Sequence, residues 1–299
     1  MTAPGQPLNL RAILIGLTFS IMWSSAFTSA RVAVADAPPL LILAVRFAIS
    51  GLLAIAIAYA VGQKIQLSRQ ESVAVVVLGI CQNTVYLGMC FMAVQRVDAS
   101  LVVIIASMLP LLVAIAHWLF FGERTRLPGV IGLLGGLAGV MLITSHRMAA
   151  GADPVGVILA GIGLLALTAA TLLVGRTFSH QRNLLMLVGL QMLAGSLTLL
   201  PISMAFETWT VNWTTSLMVS FSYTVLVPGI GATLIWFMLV GQLGPIRAAT
   251  FHFLNPFFGV LIAAIILAEP VSTRDILGVV VIMAGILTVQ LSRQATAAT

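Results

Sequence analysis

The stretches PLLVAIAHWLFFGE (residues 110–123) and PFFGVLIAAIILAE (residues 256–269) decide the fold of this protein. Each begins with a proline, continues through an uncharged apolar run and ends on a glutamate, and the two lie 146 residues apart. The same spacing pairs Gly132 with Gly278 and Gly139 with Gly285 without a gap. Few residues are identical between the two halves, so the evidence for a repeat is that the same residue types recur in the same order. The chain therefore contains an internal repeat.

Composition places the chain in a membrane. Of its 299 residues, 60% are hydrophobic and 7% are charged, and the mean hydropathy is +1.13. A soluble domain carries about 25% charged residues because its surface has to stay in water. These values exclude a soluble enzyme, a secreted disulfide-rich protein and a disordered chain.

Ten apolar runs approach the length of a membrane-spanning helix, which needs about 20 residues. The fifth and tenth runs are the shortest, and the connections are too short to hold a soluble domain. The first run is longer than the core of a signal peptide, so we expect it to be retained. The predicted spans cover residues 12–30, 40–61, 73–93, 101–121, 130–144, 155–174, 184–205, 217–240, 248–267 and 276–291.

The distribution of lysine and arginine predicts the orientation of the chain. With the N-terminus inside, nine basic residues fall on the cytoplasmic side and four on the other. Cytoplasmic loops normally hold the excess of basic residues. We therefore expect a multi-pass membrane protein, in contact with lipid, with both termini cytoplasmic. The basic residues form no patch, which argues against nucleic acid as a partner.

Each half of the chain contains five predicted spans, so residues 149–299 must be inserted upside down relative to residues 1–148. Inverted repeats around a site near the midplane are typical of secondary transporters. The sequence thus predicts an all-α integral membrane protein, with ten transmembrane helices as two inverted five-helix repeats around a central cavity. A duplication kept only for folding is the alternative.

Three spaced motifs resemble the drug/metabolite transporter superfamily. They are Pro39 with Arg46-Phe47, Pro110 with Gly122-Glu123, and Asn255-Pro256 with Ala268-Glu269. Within that superfamily the whole chain resembles the EamA-type ten-helix members, and among them the aromatic and neutral amino-acid exporters (the YddG-like branch). The resemblance implies a 5+5 inverted fold, a central cavity between the halves, and efflux of small metabolites across a bacterial-type inner membrane. From the inverted repeats themselves we expect alternating access.

The eight carboxylates all lie at or near the ends of predicted spans. Proton- or sodium-coupled carriers often keep an ionisable residue at mid-membrane. We therefore expect facilitated or weakly coupled flux, and no cationic drug as the main substrate. Glu123 and Glu269 are expected to accept hydrogen bonds from backbone N–H groups at the start of the next helix.

Arg46 is the one basic residue well inside a predicted span. Burying a guanidinium in a membrane is expensive, so a partner is expected. It could anchor a substrate carboxylate or brace helix ends through backbone carbonyls. Bracing is favoured, because Arg46 lies nearer the outer interface than the midplane and arginine can snorkel.

Polar and aromatic residues near the centres of spans 1, 3, 4, 6, 8 and 9 form the predicted site. Amides and hydroxyls there could hold the charged groups of an amino acid, and proline and glycine free backbone carbonyls toward a cavity. Taken singly, each is more often a contact between helices. The predicted substrate-binding residues are Trp23, Ser24, Asn83, Tyr86, Ser107, Tyr223, Trp236, His252 and Asn255. The predicted structural or gating residues are Arg46, Pro110, Glu123, Pro228, Gly229, Pro256 and Glu269.

The remaining motifs concern packing and alternative functions. The pairs Gly132/Gly136 and Gly135/Gly139 predict close helix packing, within the chain or between protomers, and the oligomeric state stays open. No metal-ligand spacing, nucleotide loop or catalytic motif occurs, so we expect no enzyme activity, metal or cofactor. A lipid-linked flippase, which predicts a lateral opening, or a broad-specificity drug/metabolite exporter is the alternative. A membrane enzyme or receptor scaffold lacks paired catalytic groups.

Overall fold

The computed structural model describes residues 10–122, 127–177, 183–243, 248 and 251–297, and this part of the chain is helical without strands. Glu123 lies outside the described residues. The bounds are α1 Leu10–Ala33, α2 Pro39–Ala60, α3 Arg69–Ala93, α4 in two parts (Ala99–Ala106 and Leu109–Phe121), α5 Leu127–Ala149, α6 Pro154–Thr177, α7 Leu184–Phe206, α8 in three parts (Thr215–Thr224, Val225–Ala232 and Thr233–Leu243), α9 in two parts (Phe251–Leu254 and Asn255–Leu267) and α10 Thr273–Ala297.

Within the described ranges, α1 to α8 are long and apolar enough to cross a bilayer, and α9 is a shorter apolar helix. Helix α10 has 25 residues. A helix is therefore present at each predicted run, whereas ten membrane crossings stay a prediction. The multi-pass membrane character of the chain is confirmed.

The expectation that the fifth span is short is wrong. Helix α5 has 23 residues and continues to Ala149, past the predicted end at residue 144. Arg147 lies in its last turn, and this charge ended the apolar run in the sequence. Arg147 is buried and forms ion pairs with Asp98 and Asp275. Because these carboxylates neutralise its charge, the helix can continue past the end of the apolar run.

Helices α3 and α8 are interrupted by π-helical turns at matching positions. In α3 they cover Gly79–Leu87 and in α8 they cover Val225–Ala232, and both begin 146 residues apart. A π-helical turn leaves the regular i to i−4 hydrogen-bond ladder and is frequent at functional sites. The repeat in the sequence thus recurs in the local backbone.

Helices α4 and α9, which correspond to each other in the repeat, are also both interrupted. A turn at Ser107 and Met108 separates the two parts of α4, and a 3-10 turn, Phe251–Leu254, precedes the long part of α9. Pro110 and Pro256 lie in the first turn of the helix that follows, where the missing N–H has no helical partner anyway. These prolines therefore begin helices instead of breaking them.

The most extensive helix packing pairs α2 with α7 and α5 with α10. The α5–α10 contact depends on glycine: a Cβ at Gly132 would lie 2.7 Å from the Gly285 carbonyl oxygen, and one at Gly139 would lie 2.9 Å from that of Gly278. The Gly132/Gly136/Gly139 face is thus occupied within the chain, which excludes it as a protomer contact. At Gly135, in contrast, no described atom lies within 4 Å of an added Cβ.

Candidate functional site

A cavity lies among α1, α2, α3, α7 and α8. It has room for about two water molecules, so a larger ligand requires the surrounding helices to separate. Five of the predicted residues border it: Trp23, Arg46, Asn83, Tyr86 and Pro228. The other lining residues are Ala26, Phe27, Phe47, Gln82, Leu87, Phe91, Met192 and Thr233.

Arg46 is buried at this cavity, with 3% of its surface exposed. The guanidinium carbon lies 5.2 Å from the centre of the Phe47 ring and 6.0 Å from that of Phe91. Its Nε and Nη1 atoms are buried and make no hydrogen bond to any described residue. The favoured role, bracing through backbone carbonyls, is therefore not seen for these two atoms.

Tyr86 and Asn83 reach the cavity from the π-helical turns of α3. Tyr86 is fully buried near Trp23. Within the described ranges, no residue accepts a hydrogen bond from its hydroxyl. The Asn83 amide donates to the Gln191 carbonyl of α7 at 2.9 Å. Asn83 thus serves helix packing as well as the cavity wall.

Gln191 is a residue that sequence reasoning missed. It is 1% exposed, and both polar atoms of its side-chain amide lack a hydrogen-bond partner among the described residues. Its position in the middle of α7 was a usable signal, because a glutamine deep in an apolar span is rare. Gln191 lies next to Met192, which borders the cavity.

The π-helical turns of α8 bring Pro228 and Gly229 close to α2. A Cβ at Gly229 would lie 2.8 Å from the Thr224 carbonyl oxygen and 3.1 Å from the Ser50 hydroxyl. The Ser50 hydroxyl itself donates to the Val225 carbonyl at 3.2 Å. Only glycine allows this close approach, which sets the wall of the cavity next to Arg46.

An aromatic cluster of Phe19, Trp23, Trp236 and His252 lies beside the cavity. The His252 ring centre is 5.2 Å from Phe19, 5.9 Å from Trp23 and 4.9 Å from Trp236, each time edge to face. Its Nδ1 atom lies 2.8 Å from the side-chain nitrogen of Asn255. Three predicted site residues, Trp23, Trp236 and His252, are thus in one cluster, and a fourth, Asn255, contacts it. Of these four, only Trp23 borders the cavity.

Two other predicted residues join helices, and a third bonds within its own helix. Ser24 donates to the Asn255 carbonyl oxygen at 3.3 Å and so connects α1 with α9. The Tyr223 hydroxyl is 2.7 Å from that of Ser25 and connects α8 with α1. Ser107 donates to the Ile104 carbonyl one turn earlier, at 2.6 Å. None of these three residues borders the cavity in the described part of the chain.

Glu269 receives hydrogen bonds at a helix start, but not that of the next helix. Its carboxylate accepts the backbone N–H groups of Ala99 at 2.8 Å and Ser100 at 3.1 Å, at the start of α4. The start of α10 is instead capped by Ser272 and Asp275. Glu269 thus caps a helix, as expected. The helix is α4, which is distant in sequence, and not α10, which follows Glu269 directly.

Glu207 makes an equivalent arrangement at the start of α2. Its two carboxylate oxygens accept the N–H groups of Leu40 at 2.8 Å and Leu41 at 2.9 Å. The Ser203 hydroxyl donates to the same carboxylate at 2.6 Å. The sequence placed Glu207 at the end of a span but did not assign it this contact.

A surface ion pair connects the ends of two helices. Arg96 lies 2.9 Å from Asp153, just before α6, and its guanidinium lowers the pKa of that carboxyl below the usual value. Arg96 is exposed and Asp153 is partly exposed, so water screens the pair and it contributes little to stability. The described carboxylates thus lie at helix ends, as the sequence predicted, and none borders the cavity.

Comparison with known proteins identifies the family. A model of the EamA-like transporter family matches residues 10–145 and, a second time, residues 155–291. The chain belongs to the EamA-like transporter family. This EamA family member is thus a membrane transporter, and the resemblance to the drug/metabolite transporter superfamily is confirmed.

Its relatives include proteins named as transporters. The chain is 28% identical over 282 residues to the uncharacterized transporter YvbV of Bacillus subtilis, a match that covers 94% of this chain and 91% of the relative. It is also 28% identical over 287 residues to the uncharacterized inner membrane transporter YedA of Escherichia coli, with 94% and 91% covered. These names support the role of a transporter and leave the substrate open.

A solved crystal structure has a similar fold. The TM-score is 0.67 at 21% sequence identity, and the match covers 94% of this chain and 97% of the other. At this identity the similarity concerns the fold alone.

Proposed function

We propose that this EamA family member exports small metabolites, above all aromatic and other neutral amino acids, across a bacterial-type inner membrane. The observation that carries the proposal is the cavity among α1, α2, α3, α7 and α8, where Trp23, Phe27 and Phe47 adjoin Asn83 and Arg46. Aromatic walls suit an apolar side chain, and the polar groups can hold the charged groups of a zwitterion. The protein acts by transport and not by catalysis.

Alternating access of two inverted five-helix repeats, residues 1–148 and 149–299, is the proposed mechanism. The 146-residue recurrence of π-helical turns in α3 and α8 supports this division. So does packing, since α2 with α7 and α5 with α10 are each a helix beside its repeat counterpart. Such pairs are expected next to a pseudo-two-fold axis in the membrane plane.

Counterflow in liposomes tests the substrate. Vesicles holding purified protein and excess unlabelled phenylalanine should transiently accumulate labelled aromatic and neutral amino acids. Preferential exchange of sugars or cationic dyes would overturn the assignment. Asn83→Ala and Tyr86→Ala should slow the exchange, whereas Ser145→Ala, on the exposed face of α5, should not.

A lipid-linked flippase or broad-specificity drug/metabolite exporter is the second candidate. One observation favours the flippase: an apolar pocket between α2 and α8, lined by Leu41, Val45, Trp213 and Phe221 among others. A lateral pocket of this kind could accept an acyl chain. The flippase predicts accelerated transbilayer movement of labelled lipid in the same liposomes, without saturable amino-acid counterflow.

A further inference from the structure

We propose that Arg46 and Tyr86 hold the carboxylate of the substrate, and that the cavity therefore selects organic monocarboxylates with an apolar group, whether or not they carry an ammonium group. This inference rests on the proposed transport through the cavity and deepens it. It reverses the favoured expectation from the sequence, in which Arg46 braces helix ends.

The first argument is the charge of Arg46. Arg46 is only 3% exposed, and a buried guanidinium in a membrane protein requires a partner, because desolvation disfavours the charge. Among the described residues no carboxylate lies within 4.0 Å of it, and its Nε and Nη1 atoms make no hydrogen bond there. Phe47 and Phe91 offer only cation–π contacts. No described residue supplies this partner, and in the proposal the bound substrate does.

The second argument is the buried hydroxyl of Tyr86. Tyr86 lines the same cavity, and no described residue accepts a hydrogen bond from its buried hydroxyl. The nearby Trp23 side chain has only an indole N–H, which can donate but not accept. A phenol O–H is a good donor to a carboxylate oxygen. A carboxylate accepts a charge-assisted bond from arginine and a second bond from tyrosine without competition between them. One bound carboxylate would therefore satisfy both residues.

The third argument is what the cavity lacks. No aspartate or glutamate is among its lining residues, and the described carboxylates that make ion pairs do so with Arg96 and Arg147. An ammonium group thus finds only neutral oxygens and aromatic faces. Trp23, Phe27 and Phe47 instead offer contacts to an apolar substituent. The carboxylate of the substrate is therefore the group that the cavity recognises, and its ammonium group contributes little to binding.

Phenylalanine and three analogues, each of which lacks or alters one charged group, test this selectivity. They are phenylalanine, 3-phenylpropionate without the ammonium group, 2-phenylethylamine without the carboxylate, and phenylalaninamide with a neutral amide. As inhibitors of labelled phenylalanine counterflow, the first two should act within a few-fold of each other. The last two should be weaker by about tenfold or more, as expected for the loss of a charged hydrogen bond. Stronger inhibition by 2-phenylethylamine than by 3-phenylpropionate would overturn the inference.

Variants locate the effect. Arg46→Gln should weaken inhibition by 3-phenylpropionate by about tenfold and leave that by 2-phenylethylamine unchanged. Tyr86→Phe should do the same to a smaller extent. Arg96→Gln removes an exposed arginine and should change neither value. Equal losses for both compounds in Arg46→Gln would show a merely structural role and contradict the inference.

Binding by the wild-type protein separates this inference from the proposed function. The thermal unfolding midpoint of the purified protein is measured with each of the four compounds. A rise with 3-phenylpropionate and none with 2-phenylethylamine supports carboxylate recognition, even where amino-acid counterflow is absent and the proposed function fails. No rise with 3-phenylpropionate, alongside normal counterflow of phenylalanine, overturns the inference and leaves the proposed function in place. The wild-type panel also decides the matter if Arg46→Gln does not fold.

Discussion

At the residue scale, carboxylates at helix ends hold the helices together. Glu269 binds the first N–H groups of α4, and Glu207 binds those of α2. The first N–H groups of a helix have no partner within it, and Leu40, Ala99 and Ser100 are buried, so a side chain has to supply the acceptor. Each glutamate therefore satisfies donors of a helix distant in sequence, which fixes the relative positions of two helices.

Glu269→Ala is expected to lower the free energy of unfolding by about 1–3 kcal/mol, because two backbone donors of α4 lose their acceptor. The measurement is thermal unfolding of the detergent-purified variant. Glu71→Ala, in the exposed capping box of α3, is the control and should cost less. An effect of Glu269→Ala no larger than that of the control would show that the cap contributes little.

At the element scale, α3, α4, α8 and α9 are interrupted, whereas α2, α5, α7 and α10 are regular. The cavity lies between helices of both kinds, since the interrupted α3 and α8 and the regular α2 and α7 all border it. A regular helix satisfies its own backbone groups, whereas interruptions are tolerated only where protein or water covers them. The regular helices thus form the tightly packed pairs, and the interrupted α3 and α8 supply Tyr86 and Pro228 to the cavity wall.

Gly229→Ala is expected to abolish or strongly reduce counterflow, since its Cβ would lie 2.8 Å from a backbone oxygen that cannot move aside. Gly231→Ala, in the same π-helical turns, is the matched control. Its Cβ would meet the flexible end of Met22 at 2.6 Å, so the side chain can give way. Equal activity of the two variants would contradict this account of α8.

The α5–α10 contact gives a second matched pair. Gly132→Ala should lower the thermal midpoint, because its Cβ would lie 2.7 Å from the Gly285 oxygen and force the helices apart. Gly135→Ala, three residues on, meets no described atom within 4 Å and should leave the midpoint unchanged or raise it slightly, since alanine favours helix. A midpoint for Gly132→Ala like that of the wild type would show that the helices can separate without loss.

At the scale of the whole molecule, the predicted orientation can be tested in intact cells. In a background without Cys81 and Cys90, Ala150→Cys between α5 and α6 should react with an impermeant maleimide added outside. Lys64→Cys, between α2 and α3, should react only after the membrane is opened. The reverse pattern would place the termini outside and contradict the distribution of basic residues.

Energy coupling also belongs to this scale. The described carboxylates lie at helix ends, so we expect no carboxylate proton relay through the cavity. In proteoliposomes, an imposed pH gradient should change the final amino-acid accumulation little, while an amino-acid gradient should drive flux. Steep accumulation that follows the pH gradient would contradict this expectation.

Much of the fold could be predicted from the sequence, because hydrophobic runs and the 146-residue repeat depend on local residue type. Helix ends were less certain where a charge is paired in space: Arg147 ended the predicted fifth span early, and only Asp98 and Asp275 explain its burial. Of the candidate site, Trp23, Asn83 and Tyr86 were identified by depth. Gln191 and the cap made by Glu207 were missed, since their significance depends on helices distant in the chain.

The sequence by itself determined that the chain is a multi-pass membrane protein with two related halves. A chain with so few charged residues and such long apolar runs has to lie in lipid. There each span forms a helix, because its backbone groups must hydrogen-bond to one another. Tertiary structure alone decided which helices Glu207 and Glu269 cap, which glycines pack, and that Arg46 borders a cavity to which no described carboxylate belongs. Those outcomes depend on distances between segments far apart in sequence, and burial of a charge has meaning only once its neighbours are known.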